Sequence, residues 1–294
     1  MNPYKRWASL RALLLLALAC TALSAHAKLF LWEAERDGQR VWLLGSIHVG
    51  KADFYPLATP IENAYKEADT LAVEADISDP AAIAPLMAMA MLPPDQNLGG
   101  MLSAVQNRQL NNALARVNLP RVAADRMKPW LLGLTLSVLE MQRLGYQPQN
   151  GIDMHFLQRA RADRKKVVEL ESLKSQFELF DSLPQDESLG VLLGTLEPIT
   201  KQQFKPMFDA MINAWQIGST NSMRRIIDEY TPDDPVSKRL NDKLLAQRNR
   251  TMAERIAGLA GSPAPLVVIG AGHLAGQDSV VELLRARGFR VRQY

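Results

Sequence analysis

Two apolar runs in this chain end in the same short pattern, Gly-x-x-His. The first run, WLLGSIHVG, contains Gly45 and His48, and the second, LVVIGAGHLAG, contains Gly270 and His273. In open α/β sheets, ligands bind beyond the carboxyl ends of the strands, where a glycine lets the backbone turn sharply. The repeated pattern therefore predicts two neighbouring strands of one sheet whose histidines face a single cleft.

The remaining patterns predict an α/β (α+β) fold with a central mixed β-sheet, both Gly-x-x-His motifs at strand ends, and flanking helices. A hairpin with an Asp37-Gly38 turn is predicted at its start. Further strands are expected at 70–77, 165–172, 266–271 and 289–292, with helical spacing of apolar residues between them. We expect one domain over 28–294 with a helical insert at about 174–261, because strands from both ends must share a sheet to bury their apolar faces. A separate helical subdomain at 174–261 is the alternative.

Residues 1–27 have the pattern of a secretory signal peptide. A basic start precedes an apolar stretch from Ala12 to Leu23, and Ala25-His26-Ala27 is a small-x-small cleavage site. The stretch is shorter than the roughly 20 residues of a membrane span. We therefore expect an exported protein, periplasmic or extracellular, without a stable membrane span after cleavage. The alternatives are an uncleaved anchor and lipid attachment at Cys20, whose preceding residues fit a lipobox poorly.

The composition outside this segment excludes several classes of function. The chain has 34 basic and 31 acidic residues, and three of the basic ones lie in 1–27, so the remainder carries 31 of each. No net basic charge is left to favour nucleic acid. The only cysteine, Cys20, lies in the same segment. Thiol catalysis, disulfides and cysteine-ligated zinc are therefore excluded for 28–294. The chain also lacks the His-Glu-x-x-His and Gly-x-Ser-x-Gly motifs of common hydrolases.

A third predicted strand, LAVEADI, places Glu74 near its end. Two imidazoles and one carboxylate are a common ligand set for a catalytic divalent ion, which lowers the pKa of its bound water to about 7. The sequence thus predicts a metal site of His48, His273 and Glu74, in which His48 and Glu74 also act catalytically. The alternative for Glu74 is a solvated strand end. A lone histidine is more often a hydrogen-bonded structural residue, but the matched pair favours a site.

Other polar residues are candidates to support this site. Glu171, near the end of the strand predicted at 165–172, is a candidate for an acid-base or ligand-orienting role. Arg248 is a candidate to stabilise an oxyanion or a carboxylate, with a solvated helix face as the alternative. Asp153 either supports the site or caps a helix. We expect a structural role for His155.

Six segments together resemble a known family, and they are, in chain order, LWEAERDGQRVWLLGSIHVG, LAVEADI, GIDMHFLQRA, VVELESLKSQFELF, RNRTMAERI and VVIGAGHLAG. They resemble the TraB/GumN family, which includes the Tiki metalloproteases, over nearly the whole of 28–294. The resemblance implies a metal-dependent peptidase that acts on a peptide or protein substrate with a divalent ion such as manganese or cobalt. Within it, His48 and His273 match the two motif histidines, and Glu74 matches the acid.

A more distant similarity to erythromycin esterases and to a ChaN-like haem-binding lipoprotein family leaves two alternatives open. The first is a metal-free, esterase-like hydrolase with His48 as the general base. The second is a non-catalytic protein that binds haem or another tetrapyrrole. Neither the oligomeric state nor the identity of the substrate follows from the sequence.

Cleavage after Ala27 predicts that the protein isolated from its native host begins at Lys28, because Ala25-His26-Ala27 is the best peptidase site in the segment. Intact-mass spectrometry measures this directly. A retained Met1, or a lipid on Cys20, would contradict the prediction.

Overall fold

The computed structural model describes residues 28–294, so the predicted signal peptide and Cys20 lie outside the described residues. A mixed six-stranded sheet has the strand order β4-β3-β5-β2-β1-β6. The strands are β1 (Leu31–Arg36), β2 (Gln39–Ser46), β3 (Thr70–Val73), β4 (Lys166–Glu169), β5 (Leu266–Gly270) and β6 (Arg290–Gln293). The predicted α/β class is confirmed.

The two ends of the described chain meet in this sheet. β1 pairs antiparallel with both β2 and β6, while β2, β5, β3 and β4 run parallel. The predicted hairpin joins β1 to β2 through Asp37 and Gly38, whose φ angles are 55° and 76°. Two residues with positive φ form the tight turn that matches the twist of a hairpin. The expected sharing of one sheet by N-terminal and C-terminal strands is confirmed.

Helices make up most of the remaining chain. They are α1 (Thr59–Glu67), α2 (Pro80–Met89), α3 (Ala104–Arg116), α4 (Arg121–Ala124), α5 (Pro129–Arg143), α6 (Ile152–Ala162), α7 (Leu173–Asp181), α8 (Gln185–Thr200), α9 (Phe204–Gln216), α10 (Thr220–Tyr230), α11 (Pro235–Asn241), α12 (Arg248–Leu259) and α13 (Val280–Ala286). A π-helical turn over Asp242–Gln247 joins α11 to α12. A search of residues 28–294 for a helix with the length and hydrophobicity of a membrane span finds none. The one-domain organisation stays a prediction.

The strand expected at 70–77 is shorter in the structure, and its end has a physical reason. β3 stops at Val73, and the next residue, Glu74, accepts the Gly270 N–H through its side-chain oxygen Oε1 at 2.6 Å. A carboxylate thus takes the place of the backbone carbonyl that would continue the ladder. The strand expected at 165–172 is likewise limited to Lys166–Glu169.

Two large apolar clusters surround these elements. One cluster contains the sheet, and every residue of β5 is buried in it. The other lies among the helices and includes Leu110 of α3, Leu132 and Leu136 of α5, and Leu192 of α8. Ile47, just after β2, packs against both clusters. The segment that contains His48 is therefore held between the sheet core and the helical core.

One fully buried charge lies in the helical part. Glu140 of α5 has no exposed surface, and its carboxylate accepts hydrogen bonds from Arg116 of α3 and from Arg143, each at 2.8 Å. Burial alone raises the pKa of Glu140, but the hydrogen bonds and charges of Arg143 and Arg116 outweigh burial and lower the pKa. The pair with Arg116 ties α3 to α5.

Glu140→Gln is expected to lower the free energy of unfolding at neutral pH by about 1–3 kcal/mol, because two guanidinium groups lose a buried charged acceptor. The pKa of Glu140 is lowered from its usual 4.5, so the stabilisation is full above pH 4.5 and is lost as the pH falls through the lowered value. Urea unfolding of both proteins at acid and neutral pH measures the difference, which should shrink below pH 4.5.

Glu197→Gln is the matched control. Glu197 and its partner Lys201 are both more than half exposed, so the change should stay below about 0.5 kcal/mol. An equal loss of stability in the two variants would show that burial of Glu140 is not what makes its charge important.

Candidate active site

The two Gly-x-x-His segments leave the sheet at the same edge. β2 and β5 pair in parallel, with Gly45 opposite Ile269 and Ser46 opposite Gly270. β2 ends at Ser46 and β5 at Gly270, and His273 follows in a short 3-10 turn over Ala271–Leu274. Parallel neighbours end at one edge, so the residues after both strands lie beside each other.

The side chains of Glu74, His48 and His273 meet above Gly270. A Cβ atom at Gly270 would lie 3.1 Å from Glu74 Oε1, 3.5 Å from His273 Cδ2 and 3.7 Å from His48 Nε2. Glu74 Oε1 is itself 3.7 Å from His273 Nε2. The structure therefore brings together the three residues predicted as metal ligands, around a point that only a glycine leaves empty.

The carboxylate of Asp153 orients His48. The start of α6 lies against the segment before His48, where the Ile152 N–H donates to the carbonyl of Ile47 at 3.0 Å. Gly151 allows this approach, because a Cβ there would stand 2.5 Å from the carbonyl oxygen of His48. As a result, Asp153 Oδ2 lies 2.5 Å from His48 Nδ1. Asp153 is not the N-cap residue, which is Gly151, but its Oδ1 also accepts the Met154 N–H at 3.0 Å in the first turn of the helix.

An amide that the sequence did not single out orients His273. Asn249, on α12, is 2% exposed and places Oδ1 2.6 Å from His273 Nδ1. Its Nδ2 donates to the Asp278 carbonyl at 2.8 Å, which fixes the amide so that Oδ1 faces the imidazole. His273 therefore carries its proton on Nδ1 and leaves the Nε2 lone pair free. No local sequence pattern singled out Asn249. Of this part of the chain, only the neighbouring Arg248 had been considered as a site residue.

Arg248 and Glu171 lie beside Glu74 and form a buried ion-pair cluster with it. Arg248 Nη2 donates to Glu74 Oε2 and to Glu171 Oε2, both at 2.6 Å, and the three side chains are between 11% and 16% exposed. Gln176 of α7 donates to Glu171 at 2.9 Å. The alternative of a solvated helix face for Arg248 is therefore wrong. The carboxylates of Glu74 and Glu171 share a single guanidinium, so this cluster attracts further positive charge.

The two histidines differ in their affinity for a proton. Asp153 raises the pKa of His48 from 6.5 to about 9, although the side chain is 63% exposed and water weakens this attraction. Burial lowers the pKa of His273. For Glu74, burial raises the pKa, but His273, His48, Arg248 and the Gly270 N–H outweigh burial and lower it to about 2. Near pH 7, Glu74 is therefore ionised and His273 is neutral, while His48 is protonated and must release the proton on Nε2 before it can bind a metal ion or act as a base.

The donor types fit a divalent ion. In metal sites, a ligating histidine usually donates its second N–H to a carboxylate or an amide oxygen, and both His48 and His273 have such a partner on Nδ1. The spacing is open, however. Among residues 28–294, no group of three or more His, Cys, Asp or Glu side chains has the arrangement of a formed metal site. The side chains of the types that bind a divalent ion are present here, but they are not arranged as a formed metal site.

The remaining residues that the sequence raised lie in structural contacts. His155 stacks on Tyr55 with ring centres 4.0 Å apart and lies 3.3 Å from Arg159, which agrees with its expected structural role. Glu169 accepts the Asp76 N–H at 2.8 Å. Neither residue lines the cleft.

The cleft itself has a volume of about 320 Å³. Its lining includes His48 and Glu74 together with the apolar side chains of Ile77, Leu134, Leu179 and Phe180. His273, which is 5% exposed, is not among the lining residues, so only one of the two histidines predicted to face a common cleft does so. A larger cavity of about 790 Å³ lies between α10 and α13. Its lining contains no histidine, and its Arg224 and Arg285 are already paired with acids on their own helices. We therefore place the candidate site in the smaller cleft.

Comparison with known proteins identifies the family of the chain. A model of the TraB/PrgY/gumN family matches residues 30–293. The chain belongs to this family. The resemblance that the six segments predicted is thereby confirmed.

The similar proteins found share less than 30% sequence identity with this chain. The uncharacterized protein YbaP of Escherichia coli (strain K12) is 28% identical over 270 residues, which cover 87% of this chain and 97% of YbaP. Metalloprotease TIKI1 of Danio rerio is 23% identical over 312 residues, which cover 89% of this chain and 62% of TIKI1. Metalloprotease TIKI2 of Danio rerio is 24% identical, and 60% of its length is covered. No solved structure matches the chain.

Gly270→Ala is expected to abolish divalent-ion binding at this site, because its methyl group would occupy the point where the three side chains meet. The backbone should tolerate the change, since Gly270 has φ −50° and ψ 134°, angles that alanine adopts freely. Calorimetric titration with manganese measures binding, and thermal unfolding measures the fold.

The control is Gly194→Ala, in α8, where a Cβ would meet nothing within 4 Å. It should leave ion binding unchanged and stabilise the helix by up to about 1 kcal/mol. Full manganese binding by the Gly270 variant would contradict the position of the site.

Proposed function

We propose that the protein is an exported metal-dependent hydrolase that cleaves peptide bonds in a peptide or protein substrate. The observation that carries this proposal is the meeting of Glu74, His48 and His273 above Gly270 at the edge of the sheet. The distant relatives named as metalloproteases support it. The signal-like residues 1–27 support the exported location, periplasmic or extracellular.

In this proposal His48 Nε2, His273 Nε2 and the Glu74 carboxylate hold the ion, with manganese or cobalt favoured. These residues would hold a divalent ion, which would supply a water with a pKa near 7 and so a nucleophile at neutral pH. Asp153 and Asn249 hold the two imidazoles so that each presents Nε2. Loss of an orienting partner of this kind typically lowers metal affinity or activity about 10–100-fold.

Arg248 and Glu171 support Glu74. Arg248 donates through Nε and Nη2 to the carboxylates and through Nη1 to the Leu244 carbonyl at 3.2 Å. Each of its nitrogen atoms is therefore engaged within the protein. We propose that Arg248 positions Glu74, and that Glu171, which faces the same cluster, moves the proton from the attacking water towards the leaving amine.

A metal-free hydrolase is the second candidate, and one observation favours it. His48 Nδ1 lies 2.5 Å from Asp153 Oδ2, which is the arrangement of an imidazole general base held by a carboxylate. The open spacing of the ligand set also agrees with this alternative. Dependence of activity on an added ion separates the two mechanisms. An absorption spectrum of the purified protein tests the third alternative, binding of haem or another tetrapyrrole.

His48→Ala, His273→Ala and Glu74→Gln are each expected to lower kcat/KM for peptide hydrolysis at least about 100-fold. The reason is that a bound ion supplies several kcal/mol of transition-state stabilisation, and each 1.36 kcal/mol is tenfold in rate. Chelation of the wild type should give the same loss, and manganese or cobalt should restore the activity. Cleavage of a fluorogenic peptide library measures the rates, and circular dichroism monitors the fold.

His155→Ala is the matched control, because His155 stacks on Tyr55 outside the cleft and should keep nearly full activity. Peptide cleavage that survives exhaustive chelation would replace the metal mechanism by the His48 general base. A Soret band together with no hydrolysis would replace the hydrolase by a haem-binding protein.

A further inference from the structure

Ser46, the last residue of β2, has an unusual side chain. The residue is 3% exposed and lines the candidate active-site cleft, yet its hydroxyl has no hydrogen-bond partner. Within residues 28–294, the indole N–H of Trp130 is the only other buried side-chain polar atom in this condition. Buried polar groups in folded proteins are almost always paired, and an unpaired one at a functional site calls for an explanation.

The strand register shows where the Ser46 side chain points. Ser46 lies opposite Gly270 in the parallel pair of β2 and β5. Facing residues of neighbouring strands direct their side chains to the same side of a sheet. The Ser46 hydroxyl is therefore on the side where a Cβ of Gly270 would meet Glu74, His48 and His273. Val73 and Val268, which share one register pair, line the same cleft.

The neighbouring donors are already engaged. Arg248 donates to Glu74 and Glu171, Gln176 donates to Glu171, and the Gly270 N–H donates to Glu74. Among the described residues that line the cleft, the Ser46 hydroxyl is therefore a side-chain donor without a partner. Its oxygen is buried from solvent in the free protein, so the side chain must rotate towards the cleft to reach a ligand. No base accepts its proton, because the Ser46 hydroxyl has no hydrogen-bond partner among the described residues. An activated serine nucleophile would need such a base.

We propose that the Ser46 hydroxyl donates a hydrogen bond to the carbonyl oxygen of the peptide bond that is cleaved. This inference rests on the proposed hydrolase. When the water oxygen bonds to the carbonyl carbon, the π electron pair of the C=O bond moves onto the carbonyl oxygen. The pair returns as the C–N bond breaks, and the amine leaves with a proton from the water. Ser46 stabilises the negative charge that exists between these two events.

The test compares Ser46→Ala and Ser46→Thr with the wild type in the metal-loaded protein. Removal of one oxyanion donor typically costs about 10²–10³ in kcat. Ser46→Ala should therefore lose about that factor in kcat with little change in KM, since the bond strengthens only as charge develops. Affinity for a phosphinic peptide, which mimics the tetrahedral state, should fall in parallel. Ser46→Thr keeps the hydroxyl and should recover most of kcat.

A second readout needs no activity. Because the hydroxyl has no partner in the free protein, Ser46→Ala should leave the thermal midpoint of the metal-free protein unchanged or raise it. Ser188 is the matched control: it is 6% exposed, and its hydroxyl accepts the Trp130 backbone N–H at 3.2 Å. Ser188→Ala should lower the midpoint by about 2–4 °C and leave kcat unchanged.

Each other outcome has a definite meaning. An active wild type with an equally active Ser46→Ala variant would refute the role of Ser46 and leave the hydrolase standing. A lowered midpoint with unchanged kcat would assign the hydroxyl to structure alone. An acyl ester on Ser46, seen by mass spectrometry, would make it a nucleophile and overturn the proposal. A wild type that cleaves no peptide with any divalent ion would refute the hydrolase and this inference together.

Discussion

The position of β5 between β3 and β2 is the constraint on which the candidate site depends. Its five residues are buried, and its parallel pairing places Gly270 opposite Ser46 and two residues beyond the end of β3. Three chain segments that are far apart in sequence therefore end at a single edge. The Gly270 N–H, freed from the ladder, donates to the carboxylate of Glu74. One backbone donor thus fixes the acid relative to both histidine-bearing turns.

Much of this arrangement was predictable because it follows from local patterns. Alternating apolar residues and the Asp37-Gly38 turn predicted the hairpin, and two apolar runs with the same ending predicted neighbouring strands. Parallel strands that end at one edge necessarily bring His48 and His273 close, so the spacing of motifs carried tertiary information. Glu74 was found for the same reason, since its strand pairs with β5 on the other side.

The parts that sequence did not predict depend on contacts between distant elements. Asp153 was ambiguous because a carboxylate in a first helical turn suits capping equally well, and only the packing of α6 on the His48 segment decides its role. Asn249 had no local signal, since its function arises from two hydrogen bonds to another segment. The isolation of the Ser46 hydroxyl is likewise a property of what surrounds it, which no pattern within β2 encodes.

The closing of the sheet by its last strands has a consequence for how the molecule reaches its native state. Contacts at this edge join residues 196 positions apart, as in Glu74 and Gly270, and the Arg292–Glu33 contact between β6 and β1 spans 259 positions. Closing loops of this length costs conformational entropy before any stabilising contact forms, and a high contact order slows folding. Each helix between β4 and β5 is held by hydrogen bonds between residues four apart, so these helices can form earlier. The cleft therefore belongs to the slowest-forming part of the fold, and a fluctuation that detaches the C-terminal strands would dissolve it while leaving most helices intact.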